Sequence, residues 1–280
     1  LYFPMISIIY DYINWEEKQI IKKLQEENIE YNIINAKDEP LNITGKNSKI
    51  GDVAFIRCVS HRRSLYYSAI LENQGIRTIN SFNIFNITGN KIITSAYLYK
   101  NNIPTPESTV SFSKDAAIGV CNSYGYPVVF KPASGSWGRM VSLIKNDNMA
   151  ETIFSMNDMV NESGVYYIQR YVERPPRDIR AILINHDISA AVYRYSNDGW
   201  KTNLYRGGKV EKAALSDYDR EIIIKASEIF DAGVIGIDAM ESPDGIKIHE
   251  INGRVEFKGA SRVYGDKIIN DVVNFLKSTS

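Results

Sequence analysis

The spacing of apolar residues along this chain changes period several times, and each change marks an element. Residues 5–10 are a short apolar run that predicts a strand. Asn14 then caps a helix, with Glu17 in the capping-box position and Ile20, Ile21 and Leu24 as its apolar stripe. Residues 31–34 and 53–56 read as strands, 64–73 as a helix and 75–79 as a strand. This alternation predicts a small parallel α/β unit up to about residue 85. A helix over 88–101 carries Lys91, and Pro104 and Pro106 end it. Strands then gather at 126–132, 140–145, 166–172, 179–184 and 188–195, with helices near 113–123 and 147–160. A further helix over 215–233 has Ser216 as its cap, Asp219 three residues on, and Gly233 to close it. The expected order is an α/β unit followed by two α+β lobes with antiparallel sheets.

Composition narrows the field by exclusion. The 280 residues suffice for two or three modules. Lys plus Arg and Asp plus Glu number 33 each, with no basic tail or stripe, so nucleic acid is not an expected partner. No apolar run approaches the roughly 20 residues of a membrane span. No leader peptide is visible, and Leu1-Tyr2-Phe3-Pro4 reads as a cloning remnant ahead of a natural start at Met5. Cys58 and Cys121 lack metal-type spacing and are expected to be buried free thiols, which points to a reducing cytoplasm. The abundance of Ile, Asn, Lys and Tyr fits a genome bias.

The chemistry concentrates near the carboxyl end. Gly236-Ile237-Asp238-Ala239-Met240 and Ile248-His249-Glu250-Ile251-Asn252 are two apolar runs joined by Glu241-Ser242-Pro243-Asp244-Gly245, a hairpin signature. Glu250 and Asn252 are two apart and share a strand face, and Asp238 can lie opposite them. Such hard oxygen donors suit Mg²⁺ held jointly with nucleotide phosphates, although two solvated carboxylates at a hairpin rim have the same sequence. Lys131 ends an apolar strand and precedes Pro132-Ala133-Ser134-Gly135-Ser136-Trp137-Gly138-Arg139. A lysine before a two-glycine loop fits a phosphate lid, or an ordinary surface hairpin; the ending of a P-loop is missing. Residues 167–173 read as a strand running into an irregular segment whose backbone can meet an adenine edge. Asp178 and Arg180 share a strand face and can form a structural ion pair. Arg194 precedes a polar loop containing Asn203 and Gly207-Gly208, where an arginine can stabilise developing negative charge. His61, His186 and His249 are scattered, and no Gly-x-Ser-x-Gly elbow exists, which disfavours covalent hydrolysis.

Taken in order, Lys91, Lys131 with Gly135-Ser136-Trp137-Gly138, Gln169 to Val172, Asp178-Ile179-Arg180, Arg194, Asn203, Asp238 and Glu250-Ile251-Asn252 resemble an ATP-grasp carboxylate–amine ligase of the RimK type. The likeness runs from Met5 to near the C-terminus. Val255-Glu256-Phe257-Lys258 is similar to the LysX/ArgX branch, which joins an amino acid to the C-terminal glutamate of the small acidic carrier protein LysW. The resemblance implies an ATP-grasp fold, with an N-terminal unit over 5–87, a central lobe with a glycine-rich lid over 88–165 and a C-terminal lobe with a metal site over 166–280. It implies ATP bound by Lys91, Lys131, Gly135, Ser136, Gly138, Gln169, Arg170, Tyr171, Val172 and Asp178. Two Mg²⁺ ions are expected on Asp238, Glu250 and Asn252. The substrate is expected to meet Arg180, Arg194, Asn203, Asn252 and Arg254, with Lys131 and Arg194 catalytic. The carrier's carboxylate would attack the γ-phosphate, and the amino acid's α-amine would displace phosphate from the acyl phosphate. Where the LysX type has Asn-x-Thr, this chain reads Asn252-Gly253-Arg254. That departure favours glutamate, as in arginine biosynthesis, over the α-aminoadipate of lysine biosynthesis, with Arg254 shortening the pocket. An enzyme taking both acids, a RimK-like ligase on another protein's C-terminus, a small-molecule peptide ligase and a non-catalytic nucleotide-binding module remain alternatives. Arg62, Arg63, Arg174 and Arg177 are candidates to meet an acidic carrier. Related ligases are often homo-oligomers, but no residue here specifies one.

Overall fold

In the computed structural model, which describes residues 5–135, 140–160, 164–196 and 209–279, three sheets carry the chain. The first is parallel, in the order β2 (Tyr31–Asn35), β1 (Ile6–Tyr10), β3 (Val53–Ile56), β4 (Arg77–Ile79). Helices α1 (Trp15–Glu26) and α2 (His61–Asn73) connect its strands. The predicted cap of α1 is present: Asn14 and Glu17 form a capping box. The second sheet, of antiparallel pairs, runs β5 (Ser108–Ser111), β8 (Tyr166–Arg170), β6 (Val128–Lys131), β7 (Ser142–Ile144). Helices α5 (Lys114–Tyr124) and α6 (Asp147–Val160) pack together beside it. The third, also of antiparallel pairs, runs β11 (Val210–Lys212), β10 (Asp187–Tyr195), β9 (Arg177–Ile184), β12 (Val234–Ser242), β13 (Gly245–Asn252).

The structure redraws several expected elements. Residues 88–101 are not one helix: α3 (Phe82–Thr88) ends, Gly89 and Asn90 intervene, and α4 (Lys91–Lys100) begins. The Asn90 side chain accepts from the Ile92 and Ile93 amides, which restarts the helix. At Gly89 a Cβ would come within 2.1 Å of the His61 Nε2 atom, so a side chain there would displace that ring. Helix α7 (Asp217–Ser227) keeps its Ser216–Asp219 capping box but stops before Gly233. Gly233 instead lies against Asn80, whose Oδ1 would be 2.4 Å from a Cβ. Strand β8, assigned to the C-terminal lobe by a boundary at 165/166, hydrogen-bonds into the central sheet, so that lobe runs on through Arg170. Beyond residue 257 two helices follow that the sequence reading did not include, α8 (Lys258–Tyr264) and α9 (Lys267–Lys277).

One core is shared between the first and last parts of the chain. Ile6, Ile8, Ile20 and Leu24 pack with Ile182, Val234, Ile268, Val272 and Leu276. The central lobe has a separate core around Phe130, Phe154 and Ile168. Polar contacts lock the shared seam. Buried Glu17 pairs with Arg57 at 2.9 Å and with Arg254 at 3.3 Å. The Arg57 Nη2 donates to the Val255 carbonyl at 3.0 Å, and the Arg254 Nε donates to the Arg57 carbonyl at 2.8 Å. The Glu16 carboxylate accepts from the Phe257 and Lys258 amides, both at 2.9 Å. These contacts hold the loop 253–258 against the N-terminal unit, and that loop directly follows the Glu250–Asn252 stretch.

Candidate active site

The hairpin β12–β13 shows why three polar side chains gather there. Ile246, Ile248 and Ile251 are buried, so the apolar spacing slips from two to three. Asp238 pairs with Glu250 whereas Ala239 pairs with Ile248, which leaves His249 as the extra residue of a β-bulge. The bulge brings His249 to the same cavity as Glu250 and Asn252. Both ring nitrogens of His249 are shielded and without a hydrogen-bond partner. Burial, reinforced by the Lys131 charge, lowers its pKa well below 6.5.

A ladder of charges crosses the third sheet. Register sets Asp178 opposite Arg194 and Arg180 opposite Asp238. Asp178 and Arg180 therefore do not pair with each other along their strand. Asp178 takes both Arg194 donors, at 2.8 and 2.7 Å, and Asp238 takes both Arg180 donors, at 2.7 and 2.6 Å. Arg194 also reaches Asp238 at 3.0 Å. Burial alone would raise the Asp238 carboxyl, but Arg180 and Arg194 outweigh it and hold it well below the usual carboxylate range. Burial likewise opposes charge on Arg194, and Asp178 with Asp238 reverses that, so the guanidinium is held more firmly protonated than usual. The Asn252 amide lies 3.5 Å from the Asp238 Oδ2.

Two lysines face this ladder. Lys131 ends β6, only 6% exposed, and burial pushes its pKa down to about 8 against partial support from Glu250. Lys91, the first residue of α4, bonds through its amide to the Ala133 carbonyl at 2.8 Å and through Nζ to the Gly135 carbonyl at 2.7 Å. Its Nζ is 3.6 Å from the Glu250 carboxylate. Lys91 thus ties a helix start, the glycine loop and the hairpin together. Gln169 is buried and donates to the Ser108 and Tyr167 hydroxyls, and the Arg170 side chain turns to Glu107 and the Tyr124 carbonyl. Tyr171 and Val172 line the cavity. Ser136, Gly138 and Asn203 lie outside the described residues. Arg254 lines the cavity with its guanidinium engaged by Glu17, Glu256 and the Arg57 carbonyl.

The cavity has a volume of about 890 Å³ and spans all three units. Val129 and Lys131 of the central lobe line it, together with Tyr171 and Val172, which directly follow β8. Asp238, Glu250 and Asn252 of the third sheet line it as well, and Tyr12, Trp15 and His61 supply the wall from the N-terminal unit. This last wall comes from the carboxyl ends of β1 and β3, where the order of the parallel sheet reverses and a crevice opens. Asp11 joins the two loops there, accepting from the Val59 amide at 2.7 Å and the Ser60 amide at 3.0 Å. Of the arginines considered for an acidic partner, Arg63 pairs with Asp11, Arg174 donates to the Arg177 carbonyl, and Arg177 grips Glu241. Arg62 stays exposed at the start of α2. The sequence reading missed His249 as a cavity residue, the Glu16–Glu17–Arg57 seam, and Lys258 with Arg262 on the cavity wall. Only the last pair left a signal, a four-residue spacing that fits one helix face.

Comparison with known proteins places this geometry in context. A RimK-like ATP-grasp domain matches residues 88–276, and a LysX preATP-grasp domain matches residues 6–87. A glutamate–LysW ligase ArgX of Sulfurisphaera tokodaii is 35% identical over 97% of this chain and 98% of its own. An α-aminoadipate–LysW ligase LysX of the same organism is 32% identical over 92% of this chain and 93% of its own. In the crystal structure of a RimK domain ATP-grasp protein from Sphaerobacter thermophilus the fold recurs with a TM-score of 0.83, at 17% identity over 97% of this chain and 98% of that one.

Proposed function

Because the chain belongs to the RimK-like ATP-grasp family, we propose that it is an ATP-dependent ligase joining the α-amine of glutamate to the side-chain carboxylate of the C-terminal glutamate of a LysW-type carrier protein. The observation that carries this reading is the full-length likeness to a glutamate–LysW ligase. The cavity supports it, since one continuous space offers room for nucleotide, reacting carboxylate and amine.

The roles follow from placement. Lys131 and Lys91 neutralise the phosphates, and the backbone of 169–172 borders the base. Gly135 opens the glycine-rich segment, and the family resemblance assigns it, with Ser136 and Gly138, to a lid over the phosphates. The donor chemistry of Asp238, Glu250 and Asn252 fits a hard divalent cation: two carboxylates and an amide oxygen at one end of a hairpin. These three residues would hold Mg²⁺, two ions in this reading, which supplies charge neutralisation on the phosphate oxygens. Asp178 locks Arg194, and Arg194 meets the charge that develops as the carrier carboxylate oxygen bonds to the γ-phosphorus and ADP departs. The α-amine then attacks the acyl carbon, phosphate leaves with the bonding pair, the amine sheds a proton and an amide remains. Positioning and charge neutralisation do most of this work, so no side-chain nucleophile is needed. Arg180 and Arg254 line the cavity where the substrate would lie, and Asn203 is assigned to the substrate by the family resemblance alone. The units over 5–87, the central lobe and the C-terminal lobe would then act as the acceptor crevice, the lid and the metal-bearing floor. No described helix is long and apolar enough to cross a membrane, and the reaction suits a cytoplasmic setting.

The α-aminoadipate reading is kept as second because LysX relatives reach 32–34% identity. ADP release measured with each acid and a carrier ending in glutamate separates the two. No carrier-dependent turnover with either acid would exclude both.

A further inference from the structure

A ligase for a dicarboxylic amino acid must hold two carboxylates while leaving the amine unprotonated and mobile. The cations around the cavity can be accounted for one at a time. Lys91 and Lys131 face the phosphate end. Arg180 and Arg194 are both committed to Asp178 and Asp238. Arg174 donates to the Arg177 carbonyl. Arg254, which the sequence reading assigned to the substrate, has its charge already matched by Glu17 and Glu256 and also donates to the Arg57 carbonyl.

Two cavity cations remain. Lys258 and Arg262 stand one turn apart on α8, both exposed and both lining the cavity. Among the described residues neither side chain has an ion-pair partner. Every other cavity arginine is bonded to a carboxylate or a carbonyl. The position of α8 is also set: Glu16 accepts from the Phe257 and Lys258 amides, and Ala260 is buried. The helix therefore presents both cations to the cavity from a fixed base that follows Asn252 by six residues.

We infer that Lys258 and Arg262 bind a carboxylate of the incoming dicarboxylic amino acid and so set the preference for an acidic substrate. This rests on the ligase reading for the identity of the substrate, and it assigns the carboxylate to α8 rather than to Arg254, whose charge is matched by Glu17 and Glu256. An unpaired ammonium and guanidinium four residues apart offer a carboxylate two charge-assisted hydrogen bonds. Glutamine or 2-aminobutyrate, lacking the second carboxylate, would leave them unmatched.

Binding measured without turnover tests this. Glutamate and α-aminoadipate are titrated calorimetrically into the protein holding a non-hydrolysable ATP analogue and Mg²⁺, for wild type, Lys258→Met, Arg262→Met and the conservative Lys258→Arg. Each methionine variant should weaken binding of the preferred acid at least tenfold and shrink its advantage over glutamine. Nucleotide affinity should stay within twofold, and Lys258→Arg should recover most of the loss. Unchanged acid binding in both methionine variants would overturn the inference. So would a weakened carrier affinity with amino-acid affinity intact, which would give the pair to the carrier's acidic tail, or a wild type that binds neither acid. If the wild type binds the acid but shows no carrier-dependent ADP release, the ligase reading fails and the carboxylate site stands.

Discussion

Replacing Lys131 by methionine tests the site through two opposed effects. The ammonium is almost wholly enclosed, facing Glu250 on β13, Asp238 on β12, Lys91 on α4 and Arg174 in the loop before β9. Its pKa falls from an ordinary 10.5 to about 8. At about 1.4 kcal/mol per tenfold change in proton affinity, that fall means burying the charge costs on the order of 3 kcal/mol. At pH 7 the lysine is charged both folded and unfolded, so the cost is carried in full. It fades as pH rises through 8 and is gone above 10.5, where neither state is charged. Methionine keeps the apolar stem and drops the charge. Without nucleotide at pH 7, Lys131→Met should therefore be more stable than wild type by about 1–3 kcal/mol, a rise of several degrees in Tm. The advantage should disappear near pH 10.5. With Mg²⁺ and ATP that advantage should be largely cancelled, because a charge-assisted phosphate contact is worth about 1.5–3 kcal/mol, or roughly 10- to 100-fold in Kd. Thermal melts across pH, with and without nucleotide, read both effects. A variant less stable than wild type at pH 7 that still binds ATP as tightly would refute the reasoning on both sides.

Other substitutions probe the remaining parts. Glu250→Gln should abolish Mg²⁺-dependent turnover; near-normal ADP release at saturating Mg²⁺ would remove this residue from the metal site. Arg194→Ala should cut kcat by about 100-fold while ATP affinity changes far less, which a comparison of kcat with nucleotide Kd would decide. Glu17→Gln strips the buried partner from Arg57 and should cost on the order of 3 kcal/mol in urea unfolding at pH 7. Burial would raise the Glu17 carboxyl, but Arg57 and Arg254 pull it below 4.5, so the wild-type advantage should hold above that pH and shrink as the solution is acidified through the folded value. An advantage that persists in acid would point to packing instead.

Local pattern revealed some of these features and hid others. Strands β1, β3, β6 and β9 are short apolar runs, and the Asn14 and Ser216 caps act over three residues, so both were legible. Strand β5 is Ser-Thr-Val-Ser, half-buried at a sheet edge, and no window around it looks like a strand. Helix α3 reads Phe-Asn-Ile-Phe-Asn-Ile-Thr, poor in helix formers, and is held by its Ser81 cap and the burial of Ile84, Phe85 and Ile87. Helix α9 went unread although Ile268, Ile269, Val272, Val273 and Leu276 form an apolar stripe at helical spacing, a signal that was present in the sequence. At the site, Glu250 and Asn252 share a face by strand alternation alone. Which arginine grips which aspartate depends on the register of β9 with β10 and β12, set by contacts far away in sequence. The cavity role of His249 depends on a bulge whose trace in the sequence is the slip from two to three between Ile248 and Ile251, but the partner register that makes it a bulge is not local.

The acid pair at the start of α1 has an implication for engineering. Glu16 and Glu17 clasp backbone and side chains more than 230 positions downstream, so the N-terminal unit and the stretch 254–258 form one polar interface. A hybrid that takes its first 87 residues from one relative and the remainder from another should aggregate or lose cooperativity in melting, and carrying the stretch 254–258 along with the donor segment should restore it.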